Sequence, residues 1–179
     1  MTRIRPLLFS AIAAAAVLTA RPVFAGPPLL CFPFEIGAAK SLPMGTDNWK
    51  ATDQKYNVNH LVDDTLALLT PETPVLVRME TLRRATIYAA TRPAIATALL
   101  TALQARASVA DANAALAVFD FGYLVETYRE GQYMFNTPIA AIDRIDGYQL
   151  VLKAQAMQRD DTMGRAAKLI VDGKPRETK

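Results

Sequence analysis

Asp111-Ala-Asn-Ala-Ala-Leu-Ala-Val-Phe-Asp-Phe-Gly-Tyr-Leu-Val-Glu-Thr-Tyr-Arg-Glu-Gly131 reads as one long helix, and the rest of the chain is organised around it. Asp111 suits the N-cap, because its side-chain oxygen can accept a free backbone N–H of the first turn. Gly131 suits the residue just past the end, because glycine takes the left-handed conformation there at little cost. With about 100° per residue, Leu116, Phe119 and Tyr123 form one flank of the apolar surface. Val118, Gly122 and Val125 form its middle, and Phe121 and Tyr128 the other flank. The polar remainder is mainly the stripe Asn113, Asp120, Thr127, with Ala117 and Leu124 inside it. A helix this apolar packs on several sides and is expected at the centre of a fold.

The neighbouring segments are helical too. Residues 58–69 place Leu61, Thr65 and Leu68 on one side. Thr73-Pro74 is a helix start, with Thr as N-cap and Pro at the first helical position. That helix is expected to run to about Thr91 on the stripe Val75, Met79, Leu82, Thr86, Ala89, with Glu80 and Arg84 spaced for a salt bridge on the other side. Arg92-Pro93 opens the next helix, about 93–107, burying Ile95, Leu99, Ala102 and Leu103. The short connection predicts antiparallel neighbours. After Gly131, Thr137-Pro138 repeats the Thr-Pro start. It predicts a helix over 138–159 with Ala141, Ile145, Tyr148, Leu152 and Ala156 on its inner face. Gly147 would mark a kink, a close crossing or a break. Asp160 or Asp161 then caps a last helix to about Val171, with Ala166, Leu169 and Ile170 inward. The expected fold is all-α: antiparallel helical hairpins, as a bundle or short α-solenoid. Phe121-Gly122-Tyr123 and Asp146-Gly147-Tyr148 hint at a tetratricopeptide-like repeat, although 25 residues separate them and that family's period is about 34.

Residues 26–57 have a different texture. Pro27, Pro28, Pro33 and Pro43, with Gly26, Gly37 and Gly45, interrupt any helix. Leu30, Phe32, Phe34 and Ile36 alternate with Cys31, Pro33 and Glu35. That period of two predicts an extended arm with one face on apolar surface, at most an edge strand because Pro33 cannot donate to a ladder. The arm either folds back over the helices or docks onto a partner, with Phe32, Phe34, Ile36 and Trp49 as the contacts.

Cys31-Phe-Pro-Phe-Glu-Ile-Gly-Ala-Ala-Lys-Ser-Leu-Pro43 resembles the post-signal stretch of a family of uncharacterised secreted bacterial proteins. In that family a Cys-x-Pro-aromatic-acidic-Ile-Gly block leads to Ala-Lys-Ser-Leu-Pro. The likeness continues through Thr81-Leu-Arg-Arg-Ala-Thr-Ile-Tyr88 and Phe121-Gly-Tyr-Leu-Val-Glu126. Members carry His after the Cys and Trp after the last Pro, where this chain has Phe32 and Met44. A metal or redox role for a Cys-His pair would therefore not carry over. The resemblance implies no activity.

Residues 1–25 read as a secretory signal peptide: Arg3 and Arg5, an apolar run Leu7–Ala20, and a small residue before a cut after Ala25. The run is short for a membrane span, which needs about 20 apolar residues, so no span is expected after cleavage. Lipidation at Cys31 is disfavoured by the bulky Leu29-Leu30 before it. The domains are then 1–25 signal, 26–57 arm, 58–173 helical domain and 174–179 flexible tail. The formal charge of +3 loses three arginines and no acid with the signal, leaving the mature chain neutral. The basic footprint of a nucleic-acid binder is absent. A single Cys cannot form an internal disulfide. Cys31 reads as a small apolar residue, with an intermolecular disulfide or a redox thiol as the functional alternatives.

No nucleophile elbow, phosphate loop, dinucleotide fingerprint or paired-His zinc motif is present, so no catalytic residue, metal or cofactor is expected. His60 with Asp63 and Asp64 is a weak metal set, because acids early in a helix are explained by the macrodipole. Arg78, Arg83 and Arg84 suggest an anion site, but Arg83 and Arg84 diverge by about 100° on a helix, which favours solvated charge plus one local pair. Asp120 is the acid to watch, since a buried carboxylate must be paired and often has a shifted pKa. Two functions follow. The first is a secreted or periplasmic, non-enzymatic module that binds a protein of the cell envelope. The second is a ligand-binding protein or enzyme with a pocket between the arm and the central helix, built from Asp120, Tyr123, Tyr128, Arg83 and Arg84.

Overall fold

A computed structural model describes residues 29–173, so the expected signal peptide and C-terminal tail lie outside the described residues. A 3-10 turn, Val58–His60, leads into six helices: α1 Leu61–Leu68, α2 Val75–Ala89, α3 Pro93–Ala107, α4 Ala114–Phe135, α5 Gly147–Met157 and α6 Asp161–Gly173. No strand occurs among the described residues, and the class is all-α. The long helix is central as expected. α4 packs against α2, α3 and α5 and touches α6, and fourteen of its residues are buried, including Asp120 and Thr127 of the polar stripe.

Its ends differ from the reading. Asp111 does not cap α4: its carboxylate accepts from Asn113 N (2.8 Å) in a local turn, and no side chain caps the first turn. Gly131 lies inside α4 rather than past it. The helix runs on to Phe135 and closes at Asn136, which takes the left-handed conformation at φ 49°. Asparagine tolerates that conformation too. Gly131 is small for a different reason: a Cβ there would stand 2.5 Å from Ile139 Cδ1.

The Thr-Pro signals hold only in part. Pro74 precedes α2, but the Thr73 hydroxyl donates to Leu68 O (2.8 Å) instead of capping. Thr137-Pro138 starts no helix. Residues 138–146 turn, and α5 begins only at Gly147, where Asp146 accepts from Gln149 N (3.0 Å) as the N-cap. The buried face of α5 is Gly147, Val151 and Ala154, while Ala141 and Ala156 are exposed. Gly147 is therefore a close crossing at a helix start: a Cβ on it would lie 2.5 Å from Gly122 O. The two glycines of the Phe121-Gly122-Tyr123 and Asp146-Gly147-Tyr148 stretches thus meet each other. Asp160 caps α6, accepting from Thr162 N and Met163 N.

Residues 29–57 carry no regular secondary structure. The expected alternation does not hold: Leu29 and Leu30 are both buried, Phe34 and Ile36 are half-buried, and Phe32 is 40% exposed. The reason is that backbone groups here are taken by side chains of α2 and α4, so no strand periodicity is imposed.

Candidate functional site

α2 carries charge on two opposite sides, and both sides are buried. Thirteen of its fifteen residues are buried, so it is as central as α4. Glu80, Arg83 and Arg84 are three and four apart and share a face; Arg78, two before Glu80, points the other way. The expectation of solvated arginines fails, since Arg78 and Arg83 are 1% and 2% exposed.

On the first side the divergence of Arg83 and Arg84 is bridged by one carboxylate. Arg83 Nε donates to Glu80 Oε2 and Arg84 Nε to Glu80 Oε1, each at 2.7 Å. Long flexible arginines span the angular gap that the helix imposes. The cluster then reaches out to the irregular segment. Arg83 Nη1 donates to both Leu30 O (2.9 Å) and Trp49 O (3.0 Å), and Arg84 Nη1 donates to Leu42 O (2.6 Å). Phe34 N donates to Glu80 Oε2 (3.0 Å). Nearby, Tyr88 Oη donates to Pro43 O and accepts from Asp53 N. Buried backbone groups need partners, and here ionised side chains supply them. Burial alone would raise the Glu80 carboxyl, but Arg83, Arg84 and the Phe34 amide together hold it below its ordinary value.

Glu130 of α4 holds the start of the same segment, accepting from Leu29 N (3.0 Å) and Leu30 N (3.1 Å). Burial pushes its carboxyl up to about 8, against the two amides and with help from Glu126. Burial and the Glu130 charge also raise the Cys31 thiol, against Arg83. A thiol held protonated is a poor nucleophile.

On the other side Arg78 Nη1 donates to Asp120 Oδ2 at 2.6 Å, while its Nε donates to Thr73 O and its Nη2 to Thr70 O. Asp120 Oδ1 is buried without a hydrogen-bond partner. Burial pushes this carboxyl up to about 6 although Arg78 opposes it. Arg78 borders a cavity of about 140 Å³ between the α1–α2 turn, the end of α3 and the start of α4, with Arg106, Asp111 and Asn113 among its other lining residues. A second, more open groove of about 370 Å³ lies at the α5–α6 turn.

The five residues expected to form one pocket are thus distributed. Asp120 faces Arg78, and Arg83 and Arg84 face Glu80. Tyr128 Oη donates to Ala96 O (3.1 Å), and Tyr123 stacks on Phe119 at 5.6 Å with its buried hydroxyl unpartnered. Of the expected contact residues, Trp49 packs against Phe135 at 6.2 Å and Lys50 lies over its ring. His60 is exposed, and Asp64 accepts from Tyr56 Oη (2.7 Å). Among the described residues no group of three or more His, Cys, Asp or Glu could hold a metal ion. Glu130 and Arg106 were missed by sequence reading; a lone acid or Arg on an amphipathic helix carries no local signal that distinguishes it from a solvated charge. No family model matches the chain, and no curated protein or solved structure matches it.

Proposed function

We propose that the chain is a non-enzymatic protein of the cell envelope, exported through the segment ending at Ala25, that works by binding another protein. In this reading the helices form antiparallel hairpins gathered as a bundle around α4, and residues 26–57 present the contact surface. The observation that carries it is the mounting of Phe32. The loop 30–34 is pinned at one end by Arg83 on Leu30 O and at the other by Glu80 on Phe34 N, and Phe32 between them is 40% exposed. Arg83 also holds the Trp49 backbone carbonyl to the same ion pair, and the Trp49 ring packs against Phe135. Rigid aromatics backed by fixed polar groups are the side chains that dominate protein interfaces. Fixing them in the free protein also lowers the entropic cost of association. No helix among the described residues is long and apolar enough to cross a membrane, which suits a contact made from the aqueous side.

The test is crosslinking and affinity purification of the tagged mature chain from its own envelope, compared with Phe32→Ala and Trp49→Ala. The reading expects one partner at stoichiometric yield, crosslinked to residues 29–57. It expects loss of that partner in both variants while their melting temperatures stay near wild type. A partner retained by both folded variants would remove the basis of the reading.

A further inference from the structure

Glu130 lies under the start of the irregular segment and has no cation beside it. Its Oε2 accepts from Leu29 N (3.0 Å) and Leu30 N (3.1 Å), and its Oε1 from Leu29 N (3.2 Å). Among the described residues no basic side chain pairs with it. Glu126, one turn earlier on α4, adds a like charge. Glu130 in turn acts on Cys31 of the segment and on Tyr123 of α4, where Arg83 and, at Tyr123, Glu80 of α2 also reach. The arginines of this neighbourhood are committed elsewhere. Arg83 donates to Glu80, Leu30 O and Trp49 O. Arg129 pairs with Glu126 (3.5 Å) and donates to Ile145 O (2.8 Å). Leu30, Thr86 and Ile139, which bound the adjacent Gly131, are uncharged.

A carboxylate shielded from water is ordinarily paired with a cation. Burial outweighs the two amides here and pushes the Glu130 carboxyl up to about 8, as befits an acid that lacks one. The sequence supplies a cation at one point just before the segment. In the uncut chain the nearest basic residue before Leu29 is Arg21, and it leaves with the signal segment. Cleavage after Ala25, as in the export reading, makes Gly26 the first residue. Its amine then stands three residues before Leu29, within about 10 Å of extended chain. Pro27 and Pro28 carry no N–H, so this ammonium is the donor that the stretch before Leu29 can bring to Glu130.

We propose that export processing completes this site: the Gly26 ammonium freed by cleavage after Ala25 pairs with Glu130 and fastens the start of the irregular segment to α4. The proposal rests on the export reading. Hydrolysis breaks the bond between Ala25 C and Gly26 N. The oxygen of water goes to Ala25, which leaves as a carboxylate, and both protons of water end on the Gly26 nitrogen. The loop that carries Phe32 is therefore fully fastened only in the processed chain.

The experiment compares two forms of chain 26–179, one with a free Gly26 amine and one acetylated there, by NMR titration of the Glu130 carboxyl. A neighbouring cation favours the charged form of an acid, so Glu130 in the free-amine form should titrate about one pH unit below the acetylated form. By the same coupling the Gly26 ammonium should titrate above its ordinary range of about 8. The Leu29 and Leu30 amides should exchange about tenfold more slowly in the free-amine form. Glu130→Gln should erase the difference in exchange. If that variant does not fold, the amine titration of the unsubstituted chain still decides. A Glu130 carboxyl that titrates alike in both forms, or a Gly26 amine at its ordinary value, would overturn the proposal. Amino-terminal sequencing of the protein from its own envelope separates the two readings. A start at Gly26 upholds the export reading even where the titrations refute the pair, and a start elsewhere refutes both.

Discussion

α2 carries two buried ion pairs that look alike in composition and differ in completeness. At Glu80 both carboxylate oxygens are used by Arg83, Arg84 and the Phe34 amide, and the arginines pass the charge on to backbone carbonyls of residues 30, 42 and 49. At Asp120 a single arginine meets one oxygen and the other is buried without a hydrogen-bond partner. Burial acts on both. It is outweighed at Glu80, whose carboxyl sits below its ordinary value, and it prevails at Asp120, raised to about 6. A closed network holds a fold together, whereas an incomplete one leaves a buried acceptor whose desolvation is not offset.

The sharpest way to break this comparison is Glu80→Gln. It leaves buried Arg83 without a charge partner, and chemical denaturation should show a loss of about 3–5 kcal/mol. An intermediate effect comes from a site outside both pairs. Gly122→Ala places a Cβ 2.6 Å from Leu150 Cβ and 2.8 Å from Gly147 O. Prising α4 from α5 should cost about 1–3 kcal/mol and leave the pH response of both pairs unchanged. Asp120→Asn should cost about 1–2 kcal/mol, because Asn keeps an acceptor for Arg78 and the lost oxygen was already unpaired.

The two polar variants should also answer pH in opposite directions. The depressed Glu80 carboxyl contributes stability above its unfolded pKa, and this is lost as pH falls through its folded value, so the Glu80→Gln deficit shrinks in acid. The raised Asp120 carboxyl binds a proton in the folded state that the unfolded chain has released. Wild type therefore weakens as pH rises from 3.8 to about 6, and the Asp120→Asn deficit narrows over that window. Melting curves of the three proteins from pH 7 down to well below 4.5 check both signs. A further contribution to the pH slope belongs to Glu130, raised from 4.5 to about 8. By the same linkage wild type weakens as pH rises across that range, and Glu130→Gln should remove that part of the slope. Parallel melting curves of wild type and Glu130→Gln would contradict it.

Much of the helical scaffold was legible because it rests on local chemistry. Pro93 fixes the start of α3, the acid pair at 160–161 starts α6, and the apolar width of α4 places it at the centre. What was misplaced depended on competition between similar signals. Gly131 and Asn136 both offer a left-handed end, and only packing against Ile139 shows why the glycine is interior. Thr137-Pro138 looked like Thr73-Pro74, but Asp146 supplies the better cap and α5 waits for it. The polar centres were the least legible. A wheel drawn on α2 separates Arg83 from Arg84 and gives one Glu80–Arg84 pair amid solvated charge; that pair forms, but the burial of the cluster depends on the irregular segment, reached across 34 to 53 residues of sequence. Asp120 was marked as an acid that would need a partner if buried, and Arg78 is that partner.

The central claim is that the Glu80 cluster fastens residues 29–57 to the helical core through the backbone. Amide hydrogen exchange at Phe34, whose N–H meets Glu80, tests it most directly. The account predicts that this amide is protected to a degree comparable with α2 in wild type and exchanges freely in Glu80→Gln under conditions where α4 stays protected. Exchange of the wild-type Phe34 amide at the rate of an open loop would contradict it.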